Sequence, residues 1–447
     1  MVTETTPSTS PTSTPAPARP GKSRLHLPSR RKVLEALAAA GLSFSLGSFN
    51  PVSGGRGPAP RIGPYLPKLK LMRDALQVPA RLRATGVSEG RLARPADKKE
   101  DEFTYAVDVG QLLCYFAMVS DKEPYLALRD YAARELVVDI KEDPFTKGFV
   151  LWRTQPGAKP DASGTTEALR IAKGLWIGSK IFGRPEDCLL ASTIIDGYAR
   201  HQNVDQGLWL IRNYFHFYSR AFASNSFIID YDPDFLRDVA ESYKDDTSAD
   251  GQRYHDLTAL ADHSYEVLRA SAAPCGLIYD LLQPELKTMY YGLDVAYFSP
   301  NDIIQLNNAC ATAATVARGD PALADEVIGF IADRLGVRRS RPATQASRSN
   351  PTTRPVPEDE TGHILAHYYG RTGESVNKQG IGATEYCAII RLAALRIDDT
   401  ALYVIGRCIE QAMAYWEYDV AHADKLDAWT ASEMLLGLQA VLDMKEV

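Results

Sequence analysis

From residue 104 onward, apolar positions recur every three to four residues in segments broken by short polar stretches. This period predicts helices over 104–119, 123–137, 165–182, 186–199, 208–224, 233–245, 256–272, 300–317, 320–335, 379–395, 398–418 and 428–443. Gly183-Arg-Pro185 and Gly319-Asp-Pro321 each read as a stop for one helix and a start for the next, since glycine closes helices and proline opens them. No segment sustains the period of two expected of a strand. Twelve helices in about six antiparallel pairs cannot share the single core of a bundle, so the pattern predicts an all-α, (α/α)6 toroid. The pairs do not repeat at one period, which argues against a solenoid.

Outside that region the pattern changes. Residues 2–20 are almost entirely Thr, Ser, Pro, Ala and Glu, too poor in large apolar groups to offset chain entropy. Ser29-Arg30-Arg31-Lys32-Val33-Leu34 then precedes a weakly apolar run, Ala36–Phe49, which resembles a twin-arginine export signal and predicts an exported protein, periplasmic or secreted. That run is too short for a stable membrane span. The expected organisation is a disordered N-terminus over 1–50, an extended Pro-, Gly- and Arg-rich lead-in over 51–100, and the toroid over 101–447. Within the toroid, Arg338–Pro357 holds almost nothing apolar and reads as a disordered loop.

Composition narrows the function. The chain has 447 residues, 45% of them apolar, with 50 basic against 56 acidic residues and a net charge of −6. That balance leaves no electrostatic footprint for nucleic acid and favours a neutral polymer or small molecule as ligand. Cys114, Cys188, Cys275, Cys310, Cys387 and Cys408 are dispersed, with no CxxC, so buried free thiols are expected. His363 and His367 stand four apart, a spacing that puts them on one helix face, yet lack the Glu of a metalloprotease motif and read as a structural pair. Neither a metal nor another cofactor is expected.

The chemistry concentrates in Phe149-Val-Leu-Trp152-Arg153, leading through Asp161-Ala-Ser-Gly-Thr-Thr-Glu167 into a long helix. Two further regions accompany it: Asp108-Val-Gly110-Gln-Leu-Leu-Cys-Tyr-Phe, and Asp262-His-Ser-Tyr265 with Gly276-Leu-Ile-Tyr-Asp280. In order and spacing these three regions resemble glycoside hydrolase family 8 and the wider six-hairpin glycosidases. The resemblance covers roughly residues 100–300. It implies the toroid fold and hydrolysis of a β-linked oligo- or polysaccharide, by inversion; a monomer is expected. Aligned on Gly110, the family's general-acid Glu falls at Tyr105. Its two Asp positions in the second region fall at Thr166 and Ala168, with Glu167 between them. A Val87-Ser-Glu89-Gly segment matches the family wording but lies upstream. The later Asp294-Val-Ala-Tyr297-Phe-Ser-Pro300 lacks the family Arg.

Glycoside hydrolysis needs one protonated carboxyl and a second carboxylate across the sugar ring, about 6.5–9.5 Å apart for inversion or about 5–5.5 Å for retention. The candidate catalytic groups are Glu102 or Asp108 paired with Glu167 or Asp161. The partial positive charge of a helix N-terminus favours ionised Asp161 and Glu167, making them bases or sugar-binding groups rather than acids. Helix capping by Thr165 or Thr166, with Glu167 in the first turn, accounts for the same residues without catalysis. Candidate substrate contacts are Trp152, Arg153, Tyr105, Asp262, Tyr265 and Asp302. Asp302 also reads as a helix cap. Trp176, Trp209 and Tyr214 are further aromatics able to stack on sugar. Ser163 has no Gly-x-Ser-x-Gly context and no histidine evident to activate it. Two other functions stay open: a glycan-binding toroid without hydrolytic chemistry, and a polysaccharide lyase or epimerase, for which Tyr214 with His216 or His263 with Tyr265 would supply the Tyr/His pair.

Overall fold

A computed structural model describes residues 61–87, 92, 103–155, 157, 159–205, 207–244, 251–282, 302–336 and 362–444. The expected N-terminal signal, Glu89, Glu102, the Asp294–Pro300 segment and the 338–357 loop lie outside the described residues.

Twelve α-helices occur among the described residues: α1 Leu66–Gly86, α2 Ala106–Met118, α3 Lys122–Tyr131, α4 Thr165–Phe182, α5 Pro185–Ala199, α6 Pro233–Glu241, α7 Gly251–Ala270, α8 Leu306–Ala314, α9 Pro321–Arg334, α10 Ala383–Ala394, α11 Asp399–Ala421 and α12 Ala428–Leu442. The even-numbered helices form a closed inner ring. α12 packs on α2 and α2 on α4. α4 meets the 3-10 turn Ile228–Asp230 that leads into α6, and that turn meets α8, which packs on α10 and so returns to α12. The odd-numbered helices sit outside, each against an inner one. This is the expected (α/α)6 toroid.

Local sequence explains the boundaries. Gly183 closes α4 at φ +65°, a left-handed conformation that costs glycine nothing, and Pro185 opens α5. Asp232, Asp320, Asp398 and Asp427 each accept a backbone N–H at the start of α6, α9, α11 and α12, a cap worth about 1 kcal/mol. Inner helices approach closely where side chains vanish. A Cβ on Gly110 of α2 would lie 2.8 Å from the Arg170 Cβ of α4 and 3.0 Å from the Ile171 nitrogen. One on Gly174 of α4 would lie 2.7 Å from the Leu113 Cβ of α2.

Short antiparallel β-pairs stitch the leads of the inner helices together. β1 (Thr104–Tyr105) before α2 pairs with β2 (Arg153–Thr154), in the segment that leads to α4. β7 (Ser226–Phe227) before α6 pairs with β8 (Leu281–Leu282) before α8. β9 (Ile303–Gln305), also before α8, pairs with β10 (His367–Tyr369) before α10. The inner helices therefore start at one common end of the ring.

Three expectations change. The segment 208–224 is not a helix. β3 (Gln202–Asp205) and β4 (Leu208–Ile211) form a hairpin, followed by β5 (Phe215–His216) paired with β6 (Ala221–Phe222). A short run rich in aromatic and branched residues fits either state by periodicity, and here Gly207 at φ +83° makes the turn. The lead-in over 51–100 contains α1, whose Leu69, Met72, Leu76 and Ala80 are buried at helical spacing, and which packs on α12. Pro67 in the first turn, Pro79 inside and many basic residues disguised it. Over 300–317, extended residues 303–305 precede a shorter helix, because Gln305 caps α8 from an extended conformation. No described helix is long and apolar enough to cross a membrane.

Candidate active site at the inner-helix end of the ring

The lead into α4 builds an aromatic–basic platform. Trp152 and Tyr105 have ring centroids 5.6 Å apart, and the Arg153 guanidinium lies 4.2 Å from the Trp152 ring centroid and 3.9 Å from that of Phe103. Asp161 locks this group. It accepts from Trp152 Nε1 at 2.8 Å, from Arg153 Nη2 at 3.0 Å and from the Ala162 amide at 2.7 Å. Partial burial opposes ionisation, but these donors outweigh it and hold the Asp161 carboxyl below its usual range. Asp161 is thus an ionised, fully engaged group that positions Trp152 and Arg153, and it has no proton to give near neutrality.

Glu167 behaves in the opposite sense. It sits in the first turn of α4, where the dipole favours charge, yet burial raises its pKa, against its own amide and the more distant Arg170. The carboxyl folds back over Gly164, where a Cβ would collide with it and stand 3.1 Å from Trp152 Cβ. Desolvation outweighs the helix terminus, so the carboxyl shifts toward its protonated form, opposite in direction to the expectation. Capping by the threonines is also set aside. Gly164 is the N-cap, and the Thr165 and Thr166 hydroxyls donate instead to Asp230.

Asp230 is a site residue the sequence did not suggest. It is 1% exposed, and burial pushes its carboxyl up to about 7, aided by the nearby Glu167 and opposed by the two threonine hydroxyls. Asp280, one strand pairing away through the Ile228 N–H···O=C Asp280 bond, is likewise pushed up to about 7 by burial. Its Oδ2 accepts the Gln305 amide at 2.9 Å, and its Oδ1 has no partner among the described residues.

Below this end, the inner helices turn polar residues toward the ring axis. Glu167, Arg170 and Lys173 follow one another at three-residue spacing down α4, one face of a helix. Lys173 Nζ pairs with Asp232 at 2.6 Å. Arg391 of α10 pairs with Glu433 of α12 at 2.9 Å, and Glu433 also accepts from Gln111 of α2. α4 and α10 are not neighbours in the ring, yet Arg170 and Lys173 both feel the charge of Arg391. These groups therefore face one another across the axis. Lys173 keeps 39% and Arg391 32% of its side chain accessible, although α4 and α10 belong to the inner ring. Arg170 lies over the Trp429 ring at 5.1 Å, a second aromatic the sequence did not single out.

The remaining candidates lie elsewhere or are engaged. Asp108, in the first turn of α2, lies in the field of Arg83. Asp262 is on outer helix α7 and pairs with Arg237 at the surface. Tyr265 on the same helix is 5% exposed and donates its hydroxyl to Asp234, so it joins α6 to α7 rather than facing a ligand. Asp302 accepts the Tyr279 hydroxyl at 2.8 Å and the Arg371 amide, and caps no helix. Trp176 is buried. Trp209 stacks flat on His263 at 4.7 Å, while the Tyr265 hydroxyl is taken up by Asp234. Tyr214 and His216 do meet, ring centroids 4.6 Å apart, and His216 on β5 is bridged to Ala162 beside Asp161. Ser163 has a histidine partner after all: its Oγ lies 3.0 Å from His201 Nε2. Both are buried, the hydroxyl also accepts the Phe215 amide, and burial pushes His201 down to about 4, which makes a structural pair with no substrate access. His363 and His367 share no helix face, because His367 lies on β10. Among the described residues no cluster of His, Cys, Asp and Glu could hold a metal, and the six cysteines are free thiols.

The sequence matches no family model, and no curated protein matches it. In structure the chain is similar to an alpha-amylase from Clostridium perfringens, with a TM-score of 0.55, 12% identity, 81% of this chain covered and 97% of that one. It is also similar to a beta-1,3-1,4-glucanase from Paenibacillus sp. X4, with a TM-score of 0.52, 12% identity and coverage of 84% and 93%. At this identity the likeness is one of fold, a glycosidase-like six-hairpin fold as the family 8 resemblance implied.

Proposed function

We propose that this protein is an exported glycoside hydrolase acting on a β-linked polysaccharide at the inner-helix end of the ring, by inversion, with Glu167 as proton donor. The observation that carries the reading is Glu167 itself. It is a carboxyl without an ion-pair partner among the described residues, its pKa raised by enclosure, beside Trp152 in the lead to an inner helix. A general acid needs that environment. The second carboxylate is assigned to Asp108 in the first turn of neighbouring α2, with Glu102, earlier in the sequence, as the alternative. Trp152, Tyr105 and Arg153 form the sugar platform, held by Asp161. The glycan-cleaving neighbours support a saccharide substrate, although their names span both an amylase and a β-glucanase. Folded protein is to be incubated with β-glucans, xylan, chitosan and starch, and reducing ends measured. Release of reducing ends by the wild type and its loss in Glu167→Gln supports the proposal, and silence on every polymer refutes it.

One observation favours a second reaction. The Tyr214–His216 pair beside Asp161 supplies the groups a polysaccharide lyase uses. A product absorbing in the near ultraviolet, lost in Tyr214→Phe, would replace hydrolysis with elimination. Glycan affinity without either product would leave a binding protein.

A further inference from the structure

The charges on the ring axis do not balance. Of three cations lining it, Lys173 is neutralised by Asp232 and Arg391 by Glu433. Arg170, between them, makes no ion pair among the described residues, and its buried Nη1 has no hydrogen-bond partner there. Glu167, one turn above on the same helix, turns its carboxyl back to its own amide and over Gly164. The guanidinium lies over the face of Trp429. Glu433 and Glu167 act on Arg170 through space but neither pairs with it, and arginine is the side chain whose planar fork fits a carboxylate at two points. Arg170 therefore has the form of half an ion pair on the axial face of α4, one turn below Glu167.

We propose that Arg170 receives the carboxylate of an acidic sugar, so that the saccharide taken by this protein carries uronic acid residues. With Lys173 and Arg391 each paired to a carboxylate, Arg170 is the cation left to select the anion, and Trp429 offers the apolar face for the ring that bears the carboxylate. The molecule is acidic as a whole, at −6, so this local positive site selects an anion that the bulk charge would repel. It also disfavours a polycationic glycan. The proposal deepens the saccharide reading of this same end and rests on it, but it concerns binding and does not require turnover.

The test is calorimetric binding of full-length protein to uronate-containing oligosaccharides, polyglucuronate and polygalacturonate fragments among them, and to the same oligosaccharides after reduction of carboxyl to hydroxymethyl. The wild type should bind an acidic form at least tenfold more tightly than its reduced counterpart, with the preference shrinking as salt rises. Arg170→Met should lose the preference while keeping residual affinity, and Arg170→Lys should keep part of it. Equal affinity for acidic and reduced forms, or binding of neither, overturns the proposal, and this arm needs no variant to fold. A sulfated neutral oligosaccharide bound as tightly as the uronate overturns the carboxylate assignment. Reducing-end release is scored separately. Acid-selective binding without cleavage would leave this inference standing and remove the hydrolase, whereas cleavage of neutral polymers without acid selectivity would do the reverse.

Discussion

Asp230→Asn offers the sharpest test of the electrostatics at the inner-helix end. The carboxyl is 1% exposed and is pushed from an ordinary 3.8 to about 7, by burial first and by Glu167 in addition, against hydrogen bonds from Thr165, Thr166 and the Phe227 backbone. A carboxyl whose pKa is raised on folding takes up protons as the chain folds. Its full stability is present below the unfolded pKa and declines as pH climbs through the folded one. A difference of roughly 3 pH units at about 1.4 kcal/mol each gives a loss of at most about 4 kcal/mol between pH 4 and pH 8. Asn keeps the shape and accepts one threonine hydroxyl, while Thr165 can turn to the Asn213 carbonyl it already reaches at 2.8 Å. Asn cannot ionise, so the variant escapes the decline. With unfolding entropy of about 2.1 cal/mol/K per residue over roughly 300 folded residues, 4 kcal/mol corresponds to about 6 °C in Tm. The assay is thermal unfolding of wild type and variant from pH 4 to pH 8. The variant's Tm should gain on the wild type by several degrees across that interval, Asp280 contributing equally to both curves. A Tm difference that stays constant with pH would show that Asp230 is already ionised in the acid range and would refute the desolvation argument for this end of the ring.

Two further outcomes follow from the geometry. Gly110→Ala places a Cβ 2.8 Å from Arg170 Cβ and 3.0 Å from the Ile171 nitrogen. Separating α2 from α4 should cost about 1–3 kcal/mol, read by denaturant titration. Asp161→Asn removes the charge that fixes Arg153, so glycan affinity should fall several-fold with little change in unfolding midpoint, because the pair is partly exposed. Wild-type affinity should fall in the same way as pH drops through the lowered Asp161 pKa, since a depressed carboxyl holds its partners only while ionised. Isothermal titration of both proteins at neutral pH, and of the wild type across the acid range, measures each.

Most of the fold was legible along the chain. α4 begins and ends where its period and Gly183 place it, and α5 and α9 open on the prolines expected to open them. The failures were local ambiguities. The run around Trp209 is too short and too aromatic to separate helix from hairpin, and the prolines and arginines of α1 hid a buried stripe. The platform at Trp152, Arg153 and Asp161 was legible because its members lie within ten residues of one another.

The axial site was not, because a sequence shows neighbours along a helix but not which side of the helix faces what. The Glu167–Arg170–Lys173 stripe reads identically whether it meets bulk water or the centre of a ring. Only closure of the ring brings Arg170 toward Arg391 and Glu433, more than two hundred residues away, and puts Asp230 under Thr165 and Thr166. Periodicity and capping thus determined the helices and their pairing, since those rest on spacing within a few turns. Tertiary structure decided which charges lost their water and which found partners. For that reason it shifts Glu167 toward the protonated form, holds the Asp161 carboxyl below its usual range, and leaves one arginine facing the axis without an ion pair among the described residues.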